Sequence, residues 1–153
     1  MDLTSYKKKV VIVYASVTGN TEELANYIYH SFQMHPFETV IYKIEQFPLS
    51  ILSDVDVMII GTYTWGNGEI PKEMRKLYRA LEALNNKSLI TAVFGTGDSF
   101  YPIYCGAVDQ FRDMLYVQTN LAATLKVELV PQQQDFKRCK SLVEVIYNKV
   151  LSE

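Results

Sequence analysis

"VVIVYASVTGNTEEL", residues 10–24, runs from an unbroken apolar stretch through a turn of small polar residues into the start of a helix. Six apolar positions in a row, Val10–Ala15, are what a strand buried on both faces requires, as when helices cover both sides of a parallel sheet. Beyond the turn, Leu24, Ala25, Ile28 and Phe32 recur at helical spacing. The order strand, polar turn, helix is the repeating unit of a doubly wound α/β domain.

The same alternation continues along the chain. Strands are predicted at Glu38–Lys43, at "VDVMIIG" (55–61), at "SLITAVFG" (88–95) and at "ATLKVEL" (123–129). Helices are predicted after Pro71, where Met74, Leu77, Leu81 and Leu84 share a face, and around Val108, Phe111 and Leu115. A last helix carries Phe136, Cys139, Val143, Ile146 and Val150 on one stripe. "IEQFPLSIL" (44–52) fits a loop or a short helix equally well. No repeat or linker interrupts the pattern, so residues 1–153 are expected to form a single α/β domain, a parallel sheet with helices on both faces.

The totals exclude several classes of function. Hydrophobic residues make up 48% and charged residues 21%, an ordinary globular balance. Fifteen Lys and Arg against 17 Asp and Glu, with no basic block, argue against a nucleic-acid surface. Lys7–Lys9 before "VVIVYA" imitates a signal peptide, but the apolar stretch is short and runs into "TGNTEE", so it reads as a strand. No segment is long enough to span a membrane. Two cysteines, Cys105 and Cys139, make neither a disulfide framework nor a zinc cluster, and His30 and His35 lack partners at ligand spacing. A cytoplasmic protein is expected.

In a doubly wound sheet, ligands sit beyond the carboxyl ends of the strands. Three loops leaving that edge are unusual. The first, Ser16-Val17-Thr18-Gly19-Asn20-Thr21, has hydroxyls, an amide and the free N–H groups of a helix start, which together suit a phosphate. It has no lysine, so it is not a Walker loop. A plain helix cap by Asn20 or Thr21, with Glu22 and Glu23 in the first turn, accounts for the same residues. The second loop, Thr62-Tyr63-Thr64-Trp65-Gly66-Asn67-Gly68, places the single tryptophan beside a glycine. The third, Gly95 to Gly106, offers Tyr101, Asp98 and several backbone donors. Aromatic faces on two loops beside a phosphate cradle suit a planar ligand bearing one phosphate.

"SVTGNT", "TYTWGNG" and "FGTGDSFYPIYCGAVD", in this order and at these intervals, resemble the three cofactor loops of the flavodoxins. The resemblance spans essentially the whole chain. The fifth strand runs straight into Pro131 without the insertion of long-chain members, so the short-chain type is implied. It implies a five-stranded sheet in the order 2-1-3-4-5 and one-electron transfer at low potential through non-covalent FMN. On these residues it also implies that Ser16, Thr18, Asn20 and Thr21, with the backbone of Val17 and Gly19, hold the FMN phosphate. Trp65 and Tyr101 would cover the two faces of the ring, with Tyr63 and Thr64 lining the approach. Thr96, Gly97, Asp98 and Cys105 would meet its pyrimidine edge, Asp98 at N3–H. The Gly66–Asn67 peptide would turn its carbonyl toward N5. Cys139 reads as packing, and Tyr104 as either site or core.

The implied partners are a reductase of the flavodoxin/ferredoxin–NADP type and redox-enzyme acceptors, met by transient docking. A monomer with no substrate turnover of its own is implied. Three alternative readings fit these residues less well. An activase of manganese ribonucleotide reductase shares the fold but not Trp65 with "GTGDSFYPIYCG". A flavin-dependent quinone reductase would need a nicotinamide subsite. A receiver domain would need an aspartate where Gly61-Thr62-Tyr63 stands. One departure from the family's acidic habit stands out: residues 66–80 carry four cations against two carboxylates, which implies a docking face of mixed sign and a less negative lower potential.

Overall fold

The computed structural model describes residues 7–153. Five strands, β1 (Lys8–Tyr14), β2 (Phe37–Lys43), β3 (Val57–Tyr63), β4 (Ile90–Gly97) and β5 (Asn120–Glu128), form one sheet in the order β2-β1-β3-β4-β5. Every pairing is parallel. Four helices connect or follow them: α1 (Asn20–Phe32), α2 (Arg75–Leu84), α3 (Gly106–Gln118) and α4 (Gln133–Ser152).

The apolar runs become a two-sided core. Along β1, Val11 and Val13 point to the layer under α2 and α3, while Val10 and Ile12 point to the layer under α1 and α4. Strand β3 divides likewise, with Met58 and Ile60 on one side and Val57 and Ile59 on the other. Met74, Leu77, Leu81 and Phe111 close the first layer; Leu24, Ile28, Phe32, Cys139 and Ile146 close the second. A strand enclosed this way has no polar face, which is why its sequence shows no alternation.

The expected elements all form, with shifted ends. Residues 44–54 fold as two short 3-10 segments, Ile44–Gln46 and Leu49–Asp54. Lys72–Met74 is likewise a 3-10 turn that leads into α2. Strand β5 starts at Asn120 rather than 123, because the Asn120 N–H bonds the Leu89 carbonyl at 2.9 Å ahead of a register shift at Thr91/Ala92. Strands β3 and β4 both start two residues later and end two residues later than expected. Thr62, Tyr63, Thr96 and Gly97 thus sit on paired strand tips, with Tyr63 opposite Thr96, rather than in free loops.

Candidate functional site

One end of the sheet carries a cleft of about 380 Å³ at the carboxyl ends of β1, β3 and β4. Its walls bring together Val17, Thr18, Asn20 and Thr21 from the first loop and Tyr63, Thr64 and Gly66 from the second. Thr96, Gly97, Asp98, Tyr101 and Cys105 come from the third. Ser16 and Gly19 turn instead to an adjoining hollow of about 480 Å³, which Val17 and Thr18 also line. Trp65 and Asn67 stand outside the cleft wall, and Trp65 is 59% exposed at its mouth.

The first loop is held by a device that composition alone did not reveal. Neither Asn20 nor Thr21 caps α1; Gly19 occupies that position in the left-handed region, φ +96°, with no side-chain cap of its own. Ser16 Oγ takes over, accepting from the Gly19 and Glu22 N–H groups at 3.2 and 3.3 Å. Thr21 is turned inward, its hydroxyl 2.8 Å from that of Thr96, which ties the start of α1 to the tip of β4 beneath the cleft. Among the described residues the N–H groups of Thr18, Asn20 and Thr21 find no protein acceptor. Free donors at the positive end of a helix dipole form a seat for an anion.

The second loop is a tight reversal. Trp65 and Glu69 exchange two backbone hydrogen bonds, of 2.8 and 2.7 Å, and Gly66 and Gly68 both adopt positive φ to make the turn. Gln110 Nε2 donates to the Gly68 carbonyl at 2.7 Å and Ala107 N–H to Thr64 Oγ1 at 3.3 Å, which fastens the loop to α3. Tyr63 donates its hydroxyl to Glu73 at 2.8 Å. Burial, then that carboxylate, pushes the phenol up to about 12, so Tyr63 stays protonated through the physiological range.

In the third loop Asp98 folds a short turn, its Oδ1 accepting from Phe100 N–H at 2.9 Å and its carbonyl from Tyr101 N–H at 3.1 Å. Two further wall residues, Ile103 and Leu129, were not anticipated. Leu129 lies past the end of β5, where it donates its N–H to the Gly97 carbonyl at 2.8 Å. Leu129 and Cys105 both take φ +53°, a conformation that costs a non-glycine residue on the order of 1 kcal/mol or more and is held by the surrounding fold. Tyr104 packs against the core beside α3.

Among the described residues Asp98 is the only charged side chain in the cleft wall. The arrangement therefore offers neutral and dipolar donors for one anion at the α1 end and aromatic surface at the other. Those residues fit a flat heterocycle with a single phosphate, and they provide only one anion seat.

The flavodoxin family profile matches residues 12–140. The chain belongs to the flavodoxin family. It is 36% identical over 137 residues to probable flavodoxin 1 of Bacillus subtilis, covering 87% of this chain and 86% of that protein. The crystal structure of oxidised flavodoxin 1 from Bacillus cereus superposes with a TM-score of 0.85 at 34% identity, over 92% of this chain and 98% of that one. The flavodoxin of Streptococcus pneumoniae gives 0.87 at 32% identity, over 92% and 99%. This flavodoxin is of the short-chain type and is a low-potential one-electron carrier that uses non-covalently bound FMN. Among the described residues no helix is long and apolar enough to cross a membrane.

Cys105 sits in the cleft wall of the flavodoxin but is only 1% exposed, and burial pushes its thiol up to about 11. Cys139, in the core under α4, rises to about 12 for the same reason. At pH 7 about one Cys105 in ten thousand is a thiolate, and the thiolate is the reactive form. An aromatic disulfide reagent is expected to leave both thiols intact in the folded protein and to titrate both within seconds in denaturant. Rapid labelling of the native chain would show that the third loop opens.

Proposed function

We propose that the cleft holds FMN with its phosphate on the side chains of Ser16, Thr18 and Asn20 and on the free N–H groups of Thr18, Asn20 and Thr21 at the start of α1. Ser16 Oγ accepts from the Gly19 and Glu22 N–H groups, which shapes the loop, and its own O–H remains to donate to the phosphate; Gly19 acts by shaping the turn. The single observation that supports this most directly is the set of unpaired helix-start donors facing a cleft with no cation in its wall. Bound FMN supplies the electron chemistry. The chain's part is to bind, orient and tune. Trp65 and Tyr101 flank the ring, Asp98 and the backbone of Thr96, Gly97 and Cys105 meet its pyrimidine edge, and the Gly66 carbonyl is the acceptor offered to a ring N–H. The loop itself holds no lysine, and Lys43, which lines the adjoining hollow, is paired with Glu22 at 3.7 Å, so the negative charge of the phosphate opposes negative charge on the ring.

The remaining assignments belong to the same reading: one domain, a monomer, no substrate turnover of its own, and a cytoplasmic place between a flavodoxin-type reductase and redox-enzyme acceptors. Two buried free thiols accord with a reducing compartment.

The phosphate assignment has a direct test in Asn20→Asp. A unit charge about 5 Å from the phosphate costs about 1 kcal/mol even at high dielectric and about 3 at an effective dielectric of 20, so FMN should bind at least about five-fold more weakly. Riboflavin, lacking the phosphate, should bind this variant as it binds the parent chain. Equal losses for both ligands would place the phosphate elsewhere.

A further inference from the structure

The surface around the cleft has two features that the binding of a cofactor alone does not account for. Asp98 is the only charged residue among 16–21, 63–68, 95–106 and 129–134, in a chain that is 21% charged. Large apolar side chains take the place of charges: Val17, Trp65, Phe100, Tyr101, Ile103 and Leu129 are all exposed, Phe100 to 90%. Val17, Tyr101, Ile103 and Leu129 line the cleft itself, and the Phe100 ring stands edge-on to Tyr101 at 6.3 Å. An apolar collar of this kind is a protein-contact surface in general, since isolated monomers rarely keep such patches.

The second feature borders the first. Lys72, Arg75, Lys76 and Arg79 are exposed on the outer side of the 3-10 turn and α2, opposite Met74, Leu77 and Leu81. Among the described residues none of the four lies within ion-pair distance of a carboxylate. Glu73 is turned to the Tyr63 hydroxyl. Glu69 and Glu82 share a hollow of about 350 Å³ with Arg75 and Arg79, so the strip is mixed in sign and net positive. On α3 beside it, Arg112 is paired with Asp109 and Asp113. The strip begins one residue from Glu73, which touches the cleft-lining Tyr63, so it flanks one side of the collar.

Resting on the reading that the cleft carries FMN, we infer that collar and strip form one docking surface for a redox protein whose own centre sits in an apolar patch fringed on one side by carboxylates. The apolar collar excludes water and brings the two centres close. The strip selects the orientation and speeds encounter, as complementary charge does at other transient interfaces. A partner fringed with lysines would meet like charge on the α2 side.

The test uses the FMN-loaded, photoreduced protein and follows electron transfer by stopped flow to two probes, an acidic haem protein of the cytochrome b type and basic cytochrome c. Lys72→Glu with Lys76→Glu should slow transfer to the acidic probe about ten-fold at low salt, speed transfer to the basic one, and lose both effects at high salt. Lys87→Glu with Lys149→Glu changes net charge equally at the opposite edge of the sheet and should change either rate less than about three-fold. Phe100→Ser should slow both probes several-fold with the flavin spectrum unaltered. Equal effects from the two charge pairs would overturn the proposal, because net charge alone would then explain them. So would a stable dimer in sedimentation velocity that buries Phe100, or co-sedimentation with anionic vesicles lost in Phe100→Ser, since another occupant would then own the collar. If the purified chain takes up no FMN, the reading beneath the proposal fails and the proposal falls with it; normal uptake with unaltered rates removes the docking surface alone.

Discussion

Replacing Gly95 with alanine is expected to lower the melting temperature by about 10 °C and to weaken FMN binding with it. Gly95 lies near the tip of β4, opposite Thr62 on β3. A β-carbon there would stand 2.3 Å from the Thr62 carbonyl oxygen and 2.4 Å from a Val108 methyl. Both distances are far inside contact, and the first obstacle is backbone in a hydrogen-bonded sheet, which has nowhere to retreat. Overpacking a rigid site costs about 3 kcal/mol, and a domain of this size loses roughly 2–4 °C per kcal/mol. Adding Val108→Ala should recover little, because it clears the methyl and leaves the carbonyl in place. The strand tips that would be forced apart also carry Tyr63, Thr96 and Gly97 in the cleft wall, so the cofactor site is expected to loosen with the fold. Thermal unfolding monitored by circular dichroism, with and without FMN, separates the two losses. A melting temperature within about 2 °C of the parent would mean that β3 and β4 are not in this register.

The same region shows what a sequence carries and what it withholds. Strands β1, β3 and β4 were legible because burial on both faces leaves them no polar face, and α1, α2 and α4 because one face meets the sheet. The three loops were legible for the opposite reason: small, flexible and hydrogen-bonding residues are concentrated where a strand ends and a helix begins. The detail inside the loops follows from pairings distant in sequence. Nothing in "SVTGNT" says that Ser16 will cap the helix across the turn, or that Thr21 will spend its hydroxyl on Thr96, 75 residues away. Residues 44–54 stayed open because Phe47 and Leu52 bury too few side chains to set a period. Ile103 and Leu129 escaped notice since an aliphatic residue in a loop has no chemical signature; only the fold brings them to the cleft. The α2 cations were visible as a charge excess, but that among the described residues none lies within ion-pair distance of a carboxylate needed side-chain positions.

Trp65→Ala is expected to weaken FMN binding by ten- to hundred-fold while leaving the stability of the cofactor-free chain nearly unchanged. The ring is 59% exposed and makes no packing contact that its removal would open as a core cavity. The turn that carries it is fixed by main chain: the Trp65–Glu69 hydrogen bonds and the Gln110 bond to the Gly68 carbonyl all survive truncation at Cβ. A large flat side chain left exposed between the cleft-lining Thr64 and Gly66, on a turn so firmly held, is expected to find its partner surface in the ligand. Stacking a heterocycle on one such face is worth about 1–3 kcal/mol, which gives the stated loss of affinity. Trp65→Phe should keep most of the binding, because a smaller ring still presents a face, and Tyr101→Ala should lose a comparable amount on the other side. Flavin fluorescence, quenched on binding and recovered on release, gives the dissociation constant for each variant. An unchanged constant for Trp65→Ala, with Tyr101→Ala impaired, would mean that the ring is covered on one face only and that Trp65 serves the docking collar instead.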